Sequence, residues 1–319
     1  MEISVKETQN VRFNYDLKNN PEIIGTMSMA VKLIDQHYQG IYRELRQPSN
    51  KNNSVKYSVL GLASSENGVD YTRSKVTALS PTLVKKNRDK FAVEDPTIMF
   101  LDGEKYVFYS AVEPKKNGEG VLVSIGVVKG QTLESLNQND RKIILTPENV
   151  GEKLNRKVDM VKEPEFIRTK DGKWLMIYEF GSDDVSRIGM AESNNLTGEY
   201  RNHRVLINPR EGKWDSQHVS PGPIIRTSRG DLLMFYNGRG PKNLSDQTPT
   251  WAIGSVIIDL SSGGLLERSE QPIILPPEEI GPDGQLIAFA NSVVEEKQIL
   301  YYTAADKRMI VASYMANNL

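Results

Sequence analysis

Asp95-Pro96-Thr97-Ile98-Met99-Phe100, then Asp102-Gly103, then Tyr106-Val107-Phe108-Tyr109, reads as two apolar strands joined by a tight turn. Asp-Gly between apolar runs signals a hairpin, because glycine supplies positive φ without steric cost. Upstream, Met29-Ala30-Val31-Lys32-Leu33-Ile34 leads through a turn to Gly40-Ile41-Tyr42. Downstream, Glu163-Pro164-Glu165-Phe166-Ile167 leads through Asp171-Gly172 to Trp174-Leu175-Met176-Ile177-Tyr178. Gly222-Pro223-Ile224-Ile225 leads through Arg229-Gly230 to Leu232-Leu233-Met234-Phe235-Tyr236. Leu286-Ile287-Ala288-Phe289 leads through Glu295-Glu296 to Ile299-Leu300-Tyr301-Tyr302. The closing tyrosines fall at 42, 109, 178, 236 and 302, a step of roughly 58 to 69 residues.

A third strand with its own refrain follows each hairpin: Leu60-Gly61-Leu62, Ile125-Gly126-Val127, Ile188-Gly189-Met190, Ile253-Gly254-Ser255 and Ile310-Val311-Ala312. Short outer strands follow several of these, as at Val69-Asp70-Tyr71 and Glu199-Tyr200-Arg201. Five repeats of about four strands predict an all-β chain. The expected architecture is a five-bladed β-propeller with an axial active site, residues 1–319 forming one catalytic domain. A β-sandwich, the alternative, has no reason to repeat at this period. Sustained helical periodicity is almost absent, and short helices are expected only near Asn19–Ile24 or around Thr132–Leu136.

The bulk chemistry narrows the function. The 319 residues carry 40 basic and 41 acidic side chains, interspersed, for a formal charge of −1. That balance predicts no nucleic-acid footprint and no polybasic membrane patch. No apolar run is long enough for a transmembrane helix. Cysteine is absent, which removes thiol nucleophiles and thiolate metal sites, and three histidines (His37, His203 and His218) argue against a histidine-rich one. No metal or organic cofactor is therefore expected. The start, Met1 to Lys6, lacks a basic segment followed by an apolar one, so a cytoplasmic protein is expected, or a periplasmic or secreted one if a leader was removed. A homo-oligomer stays open.

In a propeller the innermost strand of each blade lines the axis, so polar residues that differ between equivalent positions are the informative ones. At inner-strand starts stand Glu94-Asp95, Glu163 and His218. Just after the closing tyrosines stand Arg43, Ser110, Glu179, Asn237 and Thr303. Carboxylates converging on one cavity suit glycoside hydrolysis, one as acid on the leaving oxygen and another activating water or attacking directly. The bland reading of Asp95 is a turn former before proline, and that of Glu179 a solvated loop carboxylate. Strand alternation would send Glu94 and Asp95 to opposite faces. Tyr109, Tyr236 and Trp251 read either as sugar-stacking rings or as blade packing.

At these residues the chain resembles glycoside hydrolase family 130, the β-mannoside phosphorylases and mannosidases. The resemblance rests on Gly40-Ile41-Tyr42-Arg43, Glu94-Asp95-Pro96, Pro164-Glu165 with Asp171-Gly172-Lys173-Trp174, Trp214-Asp215-Ser216 through Gly222-Pro223, and Tyr301-Tyr302-Thr303-Ala304-Ala305-Asp306. It implies Asp95 as general acid, Asp306 as a holder of the −1 sugar, and Arg43, Glu94, His218, Tyr236 and Asn237 as substrate contacts. In the phosphorylases an Arg-Asn pair and a second arginine on blade three, with a basic residue on blade four, hold inorganic phosphate. Aligned by hand, this chain has Val158-Asp159, Glu179 and His218 at those places. The reading is then an inverting hydrolase of short β-mannosides with Glu179, or else Glu163, as base. A phosphorylase using inorganic phosphate is the first alternative, and a family 43-like glycosidase or a non-catalytic carbohydrate-binding propeller the others. The implied partner is an oligosaccharide.

Overall fold

A computed structural model describes residues 3–14, 22–47, 56–82, 84–182, 184–241, 249–260, 262–282 and 284–316. The chain opens with β1 (Ile3–Asn10) and β2 (Arg12–Asn14). Blade one is β3 (Ile23–Ile34), β4 (His37–Arg46), β5 (Tyr57–Ser65) and β6 (Asp70–Leu79). Blade two is β7 (Ala92–Leu101), β8 (Glu104–Pro114), β9 (Val121–Gly130) and β10 (Lys142–Leu145), followed by α1 (Pro147–Leu154). Blade three is β11 (Met160–Arg168), β12 (Trp174–Gly181), β13 (Ser186–Ser193) and β14 (Arg201–Ile207). Blade four is β15 (His218–Arg226), β16 (Leu232–Pro241), β17 (Pro249–Ile258) and β18 (Leu265–Arg268). Blade five is β19 (Leu286–Val294), β20 (Ile299–Ala304) and β21 (Arg308–Ala316).

Every blade is an antiparallel meander. Blade five takes its fourth strand from the start of the chain, β1 pairing with β21 from Ile3↔Ala316 to Asn10↔Ile310. Strand β2 then runs parallel to β6 at the rim of blade one. One short stretch of chain thus ties the first blade to the last. The inner strands close the ring: β3 touches β7, β7 touches β11, β11 touches β15, β15 touches β19, and β19 touches β3. The core is divided among the five gaps between blades. Ile41 and Val107 share one cluster, Phe108 and Phe166 the next, Ile177 and Met234 a third, Phe235 and Leu300 a fourth, and Tyr301 and Met29 close the circle.

The third-strand glycine refrain has a steric cause. Tyr42, Tyr109, Tyr178 and Tyr236 lie directly across from Gly61, Gly126, Gly189 and Gly254. A Cβ at any of these glycines would come within 2.5–2.8 Å of a tyrosine ring carbon, so only glycine lets the ring lie flat on the next strand. Blade five departs from the rule, with Tyr302 opposite Ile310.

The helix lies where the sequence reading placed none. Thr146 accepts a hydrogen bond from the Asn149 amide at its N-terminus, Pro147 follows, and Asn155 closes it in the left-handed region. The stretch 132–136 is instead a turn held by Thr132 and Ser135, with Leu133 and Leu136 buried. Of Asn19–Ile24, residues 19–21 lie outside the described residues, and Ile23 and Ile24 open β3.

Candidate active site

Each inner strand carries one residue more than its partner at the same height. The register slips between Met27 and Ala30, Glu94 and Thr97, Lys162 and Glu165, Pro221 and Ile224, and Ala290 and Ser292. These are β-bulges, which bend the strand and re-aim a side chain. In three blades the bulge holds a non-glycine residue in the left-handed region: Ser28 at φ 49°, Asp95 at 47° and Glu163 at 53°. Such backbone is costly for ordinary residues and persists where the surroundings over-determine it.

The bulges bring these side chains together. Asp95 is 7% exposed and accepts a hydrogen bond from Ser28 Oγ at 2.9 Å. Ser28 is fixed in turn, its amide donating to Thr303 Oγ1 at 2.9 Å, which itself donates to Asn291 Oδ1 at 2.7 Å. Glu94 is not turned away from Asp95. Arg43 Nη2 lies 2.6 Å from Glu94 Oε1 while its Nη1 lies 3.8 Å from Asp95 Oδ1. The extra residue breaks the alternation that would have sent these neighbours to opposite faces. Ser58 completes the cluster, accepting from Arg43 Nε and donating to Glu94.

Blade three supplies the other wall. Glu163 and Asp95 line the same small cavity, and the charge of Asp95 acts on Glu163. Lys162 Nζ lies 3.8 Å from Glu163 Oε1 and 3.5 Å from Glu179 Oε2. Glu179 is 2% exposed, and its Oε2 has no hydrogen-bond donor. Burial, then the charge of Asp95, pushes the Glu163 carboxyl well above the usual range, and Lys162 only partly offsets this. Glu94 is raised by burial too, against Arg43. Burial draws Lys162 and Arg43 down, yet the surrounding carboxylates outweigh it and hold both cations above their ordinary values. Asp306 belongs to the group that acts on Arg43, from the tight β20–β21 turn where it takes φ 50°. His218 is buried at the start of β15, its Nδ1 3.3 Å from Ser186 Oγ and its ring 5.9 Å from that of Trp251. Among the described residues, no group of three or more histidine, aspartate or glutamate side chains is arranged to hold a metal ion.

Two expected substrate contacts are otherwise engaged. Tyr236 is fully buried between blades three and four, its hydroxyl donating to Asp215 at 2.7 Å. Asn237 is fully buried as well, its amide nitrogen on the Pro221 and Ala290 carbonyls and its oxygen on the Ala290 amide, so it ties blade four to blade five. Tyr109 is packing of the same kind, with its hydroxyl on Asp89. The blade-three alignment also moves. Asp159 pairs with Lys115 at 3.1 Å and Val158 packs into the gap between blades two and three, while the pair at the axis is Lys162-Glu163. Lys162 is the residue that sequence reasoning missed. Its place emerges only once the bulges are aligned, where it precedes Glu163 as Glu94 precedes Asp95.

The chain has relatives among known proteins. The family model described as beta-1,4-mannooligosaccharide phosphorylase, of the family 130 glycoside hydrolases, matches residues 3–319. The chain belongs to glycoside hydrolase family 130. A beta-1,2-mannobiose phosphorylase of Listeria innocua is 25% identical over 260 residues, 79% of this chain and 65% of the relative. The chain thus aligns with just under two thirds of that relative's length. Among solved structures, the Listeria innocua beta-1,2-mannobiose phosphorylase in complex with beta-1,2-mannobiose superimposes with a TM-score of 0.74 at 20% identity, covering 99% of this chain and 97% of that one. Another is described with the statement that the family of mannoside phosphorylases contains glycoside hydrolases targeting beta-1,2 mannosidic linkages in Candida mannan. It superimposes with a TM-score of 0.67 at 21% identity, covering 90% and 83%. At such identities these likenesses show the fold.

Proposed function

We propose that this family 130 chain cleaves β-mannosidic bonds of short oligosaccharides by a single displacement, with inorganic phosphate as the acceptor. Asp95 protonates the leaving oxygen. Arg43, Glu94, Asp306 and His218 orient the sugar beside it. The observation that carries the choice of acceptor is Lys162, an ammonium held in the wall that sequence alignment left without a cation. On blade four, Arg239 faces the same β15–β16 register position as His218. It is half-buried, drawn below its ordinary value by burial, and its Nε lacks a hydrogen-bond partner. A partly desolvated guanidinium suits an oxyanion. The phosphorylase description of the family and of the curated relative points the same way.

One observation favours hydrolysis instead. Glu179 Oε2 is buried without a donor, 3.5 Å from Lys162, and such a carboxylate can take a proton from an attacking water. Product analysis separates the two. The chain is incubated with β-1,2- and β-1,4-mannobiose, with and without phosphate. Mannose 1-phosphate formed only with phosphate, with the phosphate KM raised in Lys162→Met and Arg239→Gln, is the expected result. Free mannose made equally well without phosphate would overturn it and assign Glu179 as the base.

A further inference from the structure

Below the site the axis continues into the protein. Asp95, Glu163, Pro221 and Ala290 line a cavity of about 10 Å³, the size of a single water. Farther along lies a second cavity of about 80 Å³, lined by Met99, Ile224 and Lys32, all half-buried and all toward the opposite face. Three side chains line both cavities: Thr97, Asn291 and Glu165. Only Glu165 among them titrates. It lies just past the bulge and lines the smaller cavity together with Glu163, while reaching the larger one as Glu163 does not.

We propose that Glu165 acts through the Asp95–Glu163 pair, returning a proton to Asp95 along the axis after each bond cleavage and drawing its own replacement from the opposite face. This rests on Asp95 being the acid, as proposed above, and holds for either acceptor. When the C1–O bond breaks, the leaving oxygen takes the Asp95 proton, and Asp95 is left a carboxylate. The proton released by phosphate or water appears on the far side of the sugar. The bound sugar covers the mouth, which leaves the axis as the open route. Glu163 gives its proton to Asp95, Glu165 reprotonates Glu163 through the small cavity, and solvent reprotonates Glu165 through the larger one.

The electrostatics suit that task. Burial pushes Glu165 up to about 8, with Lys32 opposing, so the group carries a proton at neutral pH and can still release it. The titratable groups facing it are Lys32 from β3, Asp95 from β7 and Glu163 from its own strand. Strands β15 and β19 present Pro221, Gly222, Ala290 and Asn291, none of which titrates.

The test is the pH dependence of kcat on mannobiose against that on 2,4-dinitrophenyl β-mannoside, whose leaving group needs no proton. Wild-type kcat on mannobiose is expected to fall as pH rises through about 8, where Glu165 loses its proton. Glu165→Gln should lose that limb and drop kcat roughly 10-fold with KM unchanged, less than the loss of a positioned acid. It should leave the dinitrophenyl substrate untouched, and Glu165→Asp should restore part of the rate. Lys32→Met, at the opposite face, keeps the test open if Glu165→Gln fails to fold. Without the ammonium the limb should move to higher pH. A Glu165→Gln protein with full kcat and an unchanged limb, or a limb that ignores Lys32, overturns the proposal while Asp95 stands. A wild-type chain that cleaves none of these mannosides overturns the site reading and the proton path together.

Discussion

Two sets of carboxylates lie inside this propeller, and they differ more in company than in burial, since at the axis Asp95 and Glu179 are buried and Glu163 and Glu165 half-buried. Glu44, Asp89 and Asp215, away from the axis, are fully buried. Each accepts a hydrogen bond from the closing tyrosine of its blade, Tyr42, Tyr109 or Tyr236. Each also holds arginine: Arg46 and Arg73 on Glu44, Arg141 on Asp89, and Arg210 and Arg268 on Asp215. At the axis, Glu163 and Glu179 share Lys162, Asp95 has the edge of Arg43, and Glu165 has only the charge of Lys32. Burial pulls Glu44 up, but Arg73 and Arg46 bring it below its usual range, whereas Glu163 is pushed well above it. Paired carboxylates latch the blades. Glu163 and Glu165, under-compensated, are held above the usual range, as groups at functional sites often are.

The largest effect that sharpens this contrast is on rate. Asp95→Asn should cut kcat/KM for mannobiose by roughly 10²- to 10⁴-fold, the usual contribution of a positioned acid. The melting temperature should barely move, because asparagine tolerates the left-handed backbone at position 95. A large drop in melting temperature would place Asp95 among the latches. The mirror experiment is Asp215→Asn. It leaves the half-buried Arg210 and Arg268 without their anion and should cost about 3 kcal/mol in urea unfolding, the low end of the range seen when one partner of a buried pair is removed. Activity per folded molecule should stay near wild type, and a kcat loss as large as that of Asp95→Asn would erase the distinction.

The same contrast explains what was legible in the sequence. Blade number, strand order and the hairpin turns follow from local chemistry. Asp102-Gly103 does take left-handed φ at both positions, and glycine follows wherever a tyrosine ring needs room. Asp95, Glu163, Glu179 and Arg43 were picked out because they are polar where a structural repeat needs none, and they do cluster at the axis. The bulges were not visible, since one extra residue in a strand leaves no mark in composition, and with them went the joint placement of Glu94 and Asp95 and the identity of the cation on blade three. Tyr236 and Asn237 misled for a related reason. A tyrosine or asparagine beside an axis looks the same in sequence whether it meets a sugar or a neighbouring backbone, and only the partners Asp215 and Ala290 decide it.

The smallest effect is the most specific, because it separates Glu44 from Glu165 by sign. Glu44, lowered in the folded protein, contributes stability at neutral pH that is lost as pH falls below its usual value. Glu165 behaves the opposite way. Its folded value is about 8 against an ordinary 4.5, so its contribution is fully present below 4.5 and disappears as pH rises toward 8. The unfolded chain releases that proton first, and ionisation then favours unfolding. Glu163 adds to the same slope. The urea midpoint of the wild-type protein should therefore decline from pH 5 to pH 8, and Glu165→Gln should flatten the decline without abolishing it. At pH 8 the variant should be the more stable protein, which for a buried polar substitution is an unusual sign. An equal decline in both would mean that Glu165 is already ionised in the folded state, and its charge would then be compensated as fully as that of Glu44 is.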